Sequence, residues 1–202
     1  MSSLSHLNLR YNPFGELQRE QRSAVAVVDV REMALLLERP GTAVQLVGKC
    51  GRGKTTHLLA LKRALPDAVY TRLRQGDPPP TLQPVSVLLL DEADAVWTWH
   101  RARLLRGARS VALAVHASHA VQLTALGFAV HTVQVGSSDP DRLAAIVYRR
   151  VEAARLSDGP VPSVPPSSLN ALIRRHGDDV RAIEDELYSA FQGLHEVCDV
   201  QV

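Results

Sequence analysis

Eight consecutive residues constrain this chain more than any other stretch: Gly-Lys-Cys-Gly-Arg-Gly-Lys-Thr at positions 48–55. They fit the phosphate-binding pattern G-x-x-x-x-G-K-[ST] at every fixed position. Residues 43–47 (Ala-Val-Gln-Leu-Val) are apolar enough for a buried strand. Residues 54–65 carry Leu58, Leu61 and Leu65 at helical spacing and stop before Pro66. Strand, glycine-rich loop and helix is the setting in which the motif has meaning. Gly48, Gly51 and Gly53 permit a backbone path that side chains would obstruct, so that several N–H groups can converge on phosphate oxygens. The loop also feeds a helix N-terminus, whose unpaired N–H groups favour an anion. Lys54 supplies a mobile positive charge for β- and γ-phosphates, and Thr55 a hydroxyl for Mg²⁺, a cation that prefers oxygen ligands. The nucleotide contacts expected of the loop are Gly48, Lys49, Cys50, Gly51, Arg52, Gly53, Lys54, Thr55 and Thr56, with ATP and Mg²⁺ as cofactors.

A second motif follows a hydrophobic run. Residues 85–90 (Val-Ser-Val-Leu-Leu-Leu) lead into Asp91-Glu-Ala-Asp94. An acidic residue at the end of a buried strand beside a phosphate loop holds Mg²⁺ directly or through water, which assigns Asp91 to the metal. Glu92 can polarise a water for attack on the γ-phosphate. The competing reading is that both residues cap a following helix, since Asp is a good N-cap. The four letters also match a helicase box, but helicases of that kind need two such domains and far more chain.

With 202 residues, 46% apolar and 22% charged, the chain suits one α/β domain with a small appendage. A net charge of +2 makes no bulk electrostatic demand for nucleic acid. Only Lys49, Lys54 and Lys62 are lysines, against twenty arginines among the 23 basic residues. Two of the three lysines lie in the loop, where a compact point charge is useful. The two cysteines, Cys50 and Cys198, argue against a disulfide framework. Cys50 lies inside the loop, where it is either a tolerated small side chain or a group whose alkylation blocks nucleotide. No run approaches the ~20 apolar residues needed to span a bilayer, and the N-terminus lacks a signal peptide's pattern, so the expectation is cytoplasmic.

The expected order is a polar segment over 1–23, a helix over 30–38 capped by Asp29, strand 43–47, helix 54–65 and strand 67–73. A proline-rich connection over 74–84, strand 85–90 and a helix to about Arg106 come next. Strand 111–115, helix 119–126 and strand 128–135 complete this part. Five strands separated mostly by helices call for a parallel sheet covered on both faces. Beyond Gly136 only helices are expected: one from Asp139-Pro140 with Leu143, Val147 and Val151 on one face, one from Ser167, and one from Gly177-Asp-Asp179 with Ile183, Leu187 and Phe191. The fold class is α/β: a P-loop NTPase with a five-stranded parallel sheet flanked by helices, then a small helical lid. The expected divisions are 1–23, an N-terminal segment near the nucleotide; 24–136, the nucleotide-binding domain; 137–195, the lid; and 196–202, a C-terminal tail.

On four features the chain resembles the AAA+ ATPases, and within them the ExeA type and the transposition ATPases of the TniB kind. These are Asn12-Pro-Phe14, Gly48–Thr55, Leu88–Glu92 and the segment from His176 to Ile183. The likeness spans about residues 8–195. It implies that Arg181 is the lid arginine that touches the γ-phosphate, the alternative being an ordinary arginine at a helix start. It implies that a polar residue after the fourth strand places the attacking water, for which Ser118 is chosen from His116, Ser118 and His119. It implies that Asn12, Pro13 and Phe14 lie against the adenine. One departure stands out: the stretch 119–128, where such proteins carry a trans-acting arginine finger, holds no arginine.

Residues 97–109 carry two tryptophans and Arg101, Arg103, Arg106 and Arg109. They could grip a DNA backbone, dock a protein or supply a displaced finger; Trp and Arg are enriched at binding hot spots. The competing reading packs Trp97, Leu104 and Leu105 inward and leaves the arginines solvated. The expected function is an ATPase that couples Mg-ATP binding and hydrolysis to a conformational change acting on a protein or nucleic acid, a protein partner being slightly favoured. The alternative is a nucleotide-dependent binding switch with little or no hydrolysis; a small-molecule kinase is a third option without a visible substrate clamp. A nucleotide-dependent oligomer is compatible with either, and no membrane partner is expected.

Overall fold

The computed structural model describes residues 4–16, 27–78, 80–136 and 140–202. Residues 17–23 of the N-terminal segment and the Asp139 start signal lie outside them. The chain divides into two compact units: Val28–Val135, and Met1–Val27 together with Gly136–Val202.

The first unit alternates helices and strands: α1 (Arg31–Leu37), β1 (Thr42–Val47), α2 (Lys54–Ala64), β2 (Val69–Arg72), β3 (Val85–Asp91), α3 (Thr98–Arg106), β4 (Ala108–Val115), α4 (Ala120–Ala125) and β5 (Ala129–Gln134). The five strands form one parallel sheet in the order β2-β3-β4-β1-β5. Because side chains alternate across a strand, the apolar runs serve two cores. Val44, Leu46, Leu89 and Ala112 meet Leu58 and Leu61 of α2 and Met33 and Leu37 of α1. Ala43, Leu88, Leu90 and Leu113 meet Leu104 and Leu105 of α3 and Leu123 of α4. Each such leucine contributes about 1.5–3 kcal/mol by leaving water. The C-terminal ends of β1, β3 and β4 share one edge of the sheet, where crevices form in open α/β folds.

Two elements differ from expectation. β4 starts three residues early because Val85 pairs with Ala108, and because the Ser110 hydroxyl is satisfied by donating to Arg39 O at 2.7 Å. The single helix expected after β3 is broken: a 3₁₀ turn (Ala93–Ala95) is followed by extended Val96 and Trp97 before α3 begins. Asp29 sits beside α1 as expected, accepting Arg31 N–H at 3.0 Å, while Val30 occupies the cap position. The Arg31 guanidinium bonded to it lowers the Asp29 carboxyl to about 2.

The second unit holds α5 (Pro140–Ala154), α6 (Pro166–His176) and α7 (Val180–Gln192). Its core joins Leu143, Val147 and Val151 to Leu169, Leu172, Ile183, Leu187 and Phe191. Asp179 caps α7 by accepting Ala182 N–H at 3.2 Å. Residues near both ends of the described chain belong to this unit. Leu4, Leu7, Leu9 and Phe14 are buried in this core, and Arg10 N–H donates to Ala154 O at 2.8 Å. Within residues 196–202, Val200 is buried, its N–H bonds Ser163 O at 2.8 Å, and its carbonyl accepts the buried Ser168 hydroxyl at 2.9 Å.

Candidate nucleotide site

The loop of residues 48–53 joins β1 to α2, and its glycines are required by position. A Cβ on Gly48 would stand 2.3 Å from Val135 O, and Gly51 and Gly53 adopt φ of +79° and +91°, a region that disfavours side chains. Lys54 is buried at the start of α2, and its Nζ donates to Gly48 O at 2.6 Å and Lys49 O at 2.9 Å. The ammonium is thus held at the loop by weak neutral acceptors that an anion can replace. Thr56 lies in the same first helical turn, and His57 Nδ1 is 2.9 Å from Gly53 O.

Asp91, at the end of β3, is almost fully buried. The Thr55 hydroxyl donates to it at 3.0 Å and the Tyr70 hydroxyl, from β2, at 2.7 Å; Glu92 N–H reaches Oδ1 at 3.1 Å. Thr55 and Asp91 therefore bring two oxygen ligands together, a donor set suited to a hard cation. Among the described residues, no group of three or more His, Cys, Asp or Glu side chains is placed to hold a metal ion. A cation at this point would draw its remaining ligands from water and phosphate, as Mg²⁺ does.

Glu92 occupies the N-cap position of the 3₁₀ turn, but its side chain makes no cap bond. It sits at φ +54°, ψ +44°, a left-handed conformation that costs a non-glycine residue about 1–3 kcal/mol and clusters at functional sites. Its Oε1 lies 3.6 Å from Arg72 Nη2 at the end of β2. Asp91 and Glu92 thus turn toward the sheet edge, and α3 starts only at Thr98.

Beyond β4 lies a polar network. Asp94 Oδ2 accepts His116 N–H at 2.5 Å, and Asp94 Oδ1 bonds His119 Nε2. Burial raises the Asp94 carboxyl, but these bonds and the two imidazoles outweigh it and leave the group below its ordinary range. Ser118 is exposed; its hydroxyl accepts from Gln45 Nε2 at 2.9 Å. Gln45 is fully buried in β1 and also bonds Thr132 of β5 and His119 N–H, so it fixes the turn that carries Ser118.

Arg101 overturns one expectation. It is 4% exposed, with Nε donating to Gln122 Oε1 at 2.9 Å and Nη1 to Ala93 O at 2.8 Å, and with Nη2 3.3 Å from His119 Nδ1. It therefore cannot reach a DNA phosphate, and only Arg103, Arg106 and Arg109 of that set are exposed. The inward reading fails for Trp97, which is 76% exposed; Trp99 is 63% exposed, while Leu104 and Leu105 are buried.

Arg181 and Asn12–Phe14 belong to the helical unit. Arg181 is exposed on the first turn of α7. Asn12 Nδ2 donates to Tyr188 O at 2.9 Å, and Pro13 O accepts from Arg150 Nε at 2.7 Å. Phe14 is buried, edge-on to Phe191 with ring centroids 5.1 Å apart. Packing within that unit accounts for the Phe14 ring.

Tyr70, Arg72 and Gln45 were not singled out by the sequence. Tyr70 and Arg72 gain their places because β2 lies beside β3, a pairing with no local signal. Gln45 carried a usable one: an amide inside an otherwise apolar strand must find partners once buried.

No family model matches the chain, and no curated protein matches it. Solved structures do. The chain is similar to Cdc6p from Pyrobaculum aerophilum, with a TM-score of 0.56 and 19% identity over 96% of this chain and 67% of that one. It is similar to the RuvB Holliday junction branch migration motor of Thermotoga maritima, with a TM-score of 0.55 and 14% identity over 91% of this chain and 65% of that one. A DNA replication initiation factor aligns with a TM-score of 0.51 and 15% identity over 80% and 61%. The chain spans about two thirds of the length of these structures. The fold is that of the AAA+ P-loop ATPases: a five-stranded parallel sheet flanked by helices.

Proposed function

We propose that this chain binds Mg-ATP in the Gly48–Thr55 loop and hydrolyses it, using the cycle to act on a partner macromolecule. The observation that carries the reading is the contact between Thr55 and the buried Asp91, with Lys54 at the same loop and Glu92 one residue further on. Lys54 exchanges its two carbonyl partners for phosphate oxygens, a gain because bonds to charged acceptors are roughly twice as strong. Thr55 and Asp91 hold the metal, which when bound offsets charge on the β- and γ-phosphates. Glu92 orients and deprotonates the attacking water, with Ser118 assisting. Arg181 contacts the γ-phosphate, and the Asn12–Phe14 segment lies near the adenine. The nearer likeness to the ExeA and TniB types belongs to this proposal, as does a cytoplasmic setting; no described helix is long and apolar enough to cross a membrane.

The partner proposed is a protein docking at the exposed Trp97 and Trp99. DNA is the rival, suggested by the branch migration motor and the replication initiation factor among the similar structures. Salt separates the two, since each phosphate neutralised by an arginine releases counterions and steepens the salt dependence. A second reading of the site itself, a binding switch with slow hydrolysis, is favoured by the arginine-free stretch 119–128, since an arginine finger is worth about 10³–10⁵ in rate.

Two variants test the proposal. Lys54→Ala abolishes ATP binding by calorimetry, and equal affinity in variant and wild type refutes the site. Glu92→Gln retains ATP but loses turnover, because the amide cannot take a proton from water. Turnover at the wild-type rate removes Glu92 from catalysis.

A further inference from the structure

A cluster of one thiol, one imidazole and one carboxylate reaches the loop and has no role in the hydrolysis proposed above. Cys50 is exposed, and its Sγ lies 3.3 Å from His116 Nε2. The other ring nitrogen, Nδ1, is 3.3 Å from Asp94 Oδ2, the oxygen that also accepts the His116 backbone N–H. Three elements therefore converge: the phosphate loop supplies a thiol, the turn after β4 an imidazole, and the 3₁₀ turn after β3 a carboxylate. An anionic Asp94 beside Nδ1 favours the tautomer with the proton on Nδ1. Nε2 is then left as an acceptor facing the sulfur. Nucleophile, base and a third group that orients the base is the general arrangement for an activated thiol. Cys198 is the internal contrast: it is also exposed, and among the described residues no imidazole contacts its sulfur.

We propose that Cys50 is a nucleophilic modification site, with His116 as its base and Asp94 as a positioning residue, and that it undergoes thiol–disulfide exchange with small-molecule disulfides. The step balances. The thiol proton passes to His116 Nε2 as the Cys50 sulfur attacks one sulfur of R–S–S–R. The S–S bond breaks, and the departing RS⁻ recovers the proton from His116. The products are Cys50–S–S–R and RSH, with Cys50 oxidised and one half of the reagent reduced. The group left on Cys50 stands within the octet that surrounds the phosphates, next to Lys49, whose carbonyl holds Lys54. Modification therefore blocks nucleotide, and bound nucleotide shields the thiol. This consequence rests on the nucleotide-binding reading; the nucleophilicity of Cys50 does not.

The test treats the full chain with dithionitrobenzoate, an aromatic disulfide, and assigns each cysteine's rate by peptide mass spectrometry. Cys50 is expected to exchange at least about tenfold faster than Cys198, since exchange rates follow thiolate availability and access. His116→Gln brings the Cys50 rate into the range of Cys198 without changing Cys198, whose rate reports an intact fold. Asp94→Asn slows Cys50, and Asp94→Glu restores part of the rate. Equal rates at the two cysteines, or a Cys50 rate indifferent to His116→Gln, overturn the proposal. In a second arm, Mg-ATP slows Cys50 exchange and leaves Cys198 unchanged. ATP that binds by calorimetry without shielding Cys50 overturns the link to nucleotide. Failure of ATP to bind at all counts against the nucleotide reading, while the ratio of exchange rates alone decides the nucleophile.

Discussion

Asp91 is the residue on which the proposed site turns, and its hydrogen bonds show how the carboxylate proposed to hold the metal is kept in place. A carboxylate this deeply buried is costly unless its oxygens are bonded, and Thr55, Tyr70 and the Glu92 N–H supply the donors. Hydrogen bonds to a charged group contribute about 1.5–3 kcal/mol each. Tyr70→Phe should therefore lower the melting temperature by several degrees and weaken Mg-ATP, because Asp91 loses one of its anchors; calorimetry of both quantities checks it, and a variant unchanged in either refutes the anchoring role. Asp94 offers a pH test. Its carboxyl titrates below the ordinary range when folded, so its contribution is fully present above that range and is lost as pH falls through the lowered value. Asp94→Asn should thus melt below wild type at neutral pH, with the gap closing in acid; a gap that does not vary with pH would make the effect one of packing. At this scale the two motifs were enough to expect Lys54 at the loop and Thr55 beside Asp91. The sequence was silent on Tyr70, whose role exists only because Val69–Arg72 pairs with Leu88–Asp91.

Helix α3 shows how one element can mislead and still carry the information needed. Arg101, Leu104 and Leu105 stand at i, i+3 and i+4, one helical face, so burial of the two leucines brings the arginine in with them. Trp97 shares that spacing, but it precedes the helix in an extended conformation and escapes to the surface. Counting arginines as one basic patch overlooked this. Burial pushes the Arg101 guanidinium below its ordinary value while Asp94 draws it back up. Arginine remains protonated throughout. The guanidinium ties α3 to Gln122 of α4 and, through His119, to Asp94. Removing it orphans the buried Ala93 carbonyl, at roughly 1–3 kcal/mol, and frees the half-buried Gln122 amide oxygen. Arg101→Ala should lower the melting temperature by several degrees, whereas Arg103→Ala and Arg106→Ala, at exposed positions, should stay within about 0.5 kcal/mol of wild type. Differential scanning calorimetry of the three variants decides, and equal effects would return Arg101 to the surface.

For the whole molecule, the helical periodicities after Gly136 and the five apolar strands were enough to indicate a sheet unit followed by a helical one. The order β2-β3-β4-β1-β5 was not legible, because which strands neighbour each other depends on crossovers that leave no local trace. Nor was the place of Leu7 and Val200 in the helical core, buried far in sequence from their partners. Each unit has its own core; the proposed function adds a contact from the helical unit to the nucleotide that differs between nucleotide states. In the proposed scheme Arg181 makes that contact. ATP offers it a γ-phosphate and ADP does not, so Arg181→Ala should weaken ATP binding while leaving ADP binding near wild type. Reciprocity gives the prediction its force: if the helical unit reads the γ-phosphate, ATP must stabilise the state in which Arg181 is engaged by the same free energy that Arg181 adds to ATP affinity. Titration calorimetry with both nucleotides on wild type and variant measures this difference directly. An equal loss for ATP and ADP would make Arg181 an ordinary surface residue of α7.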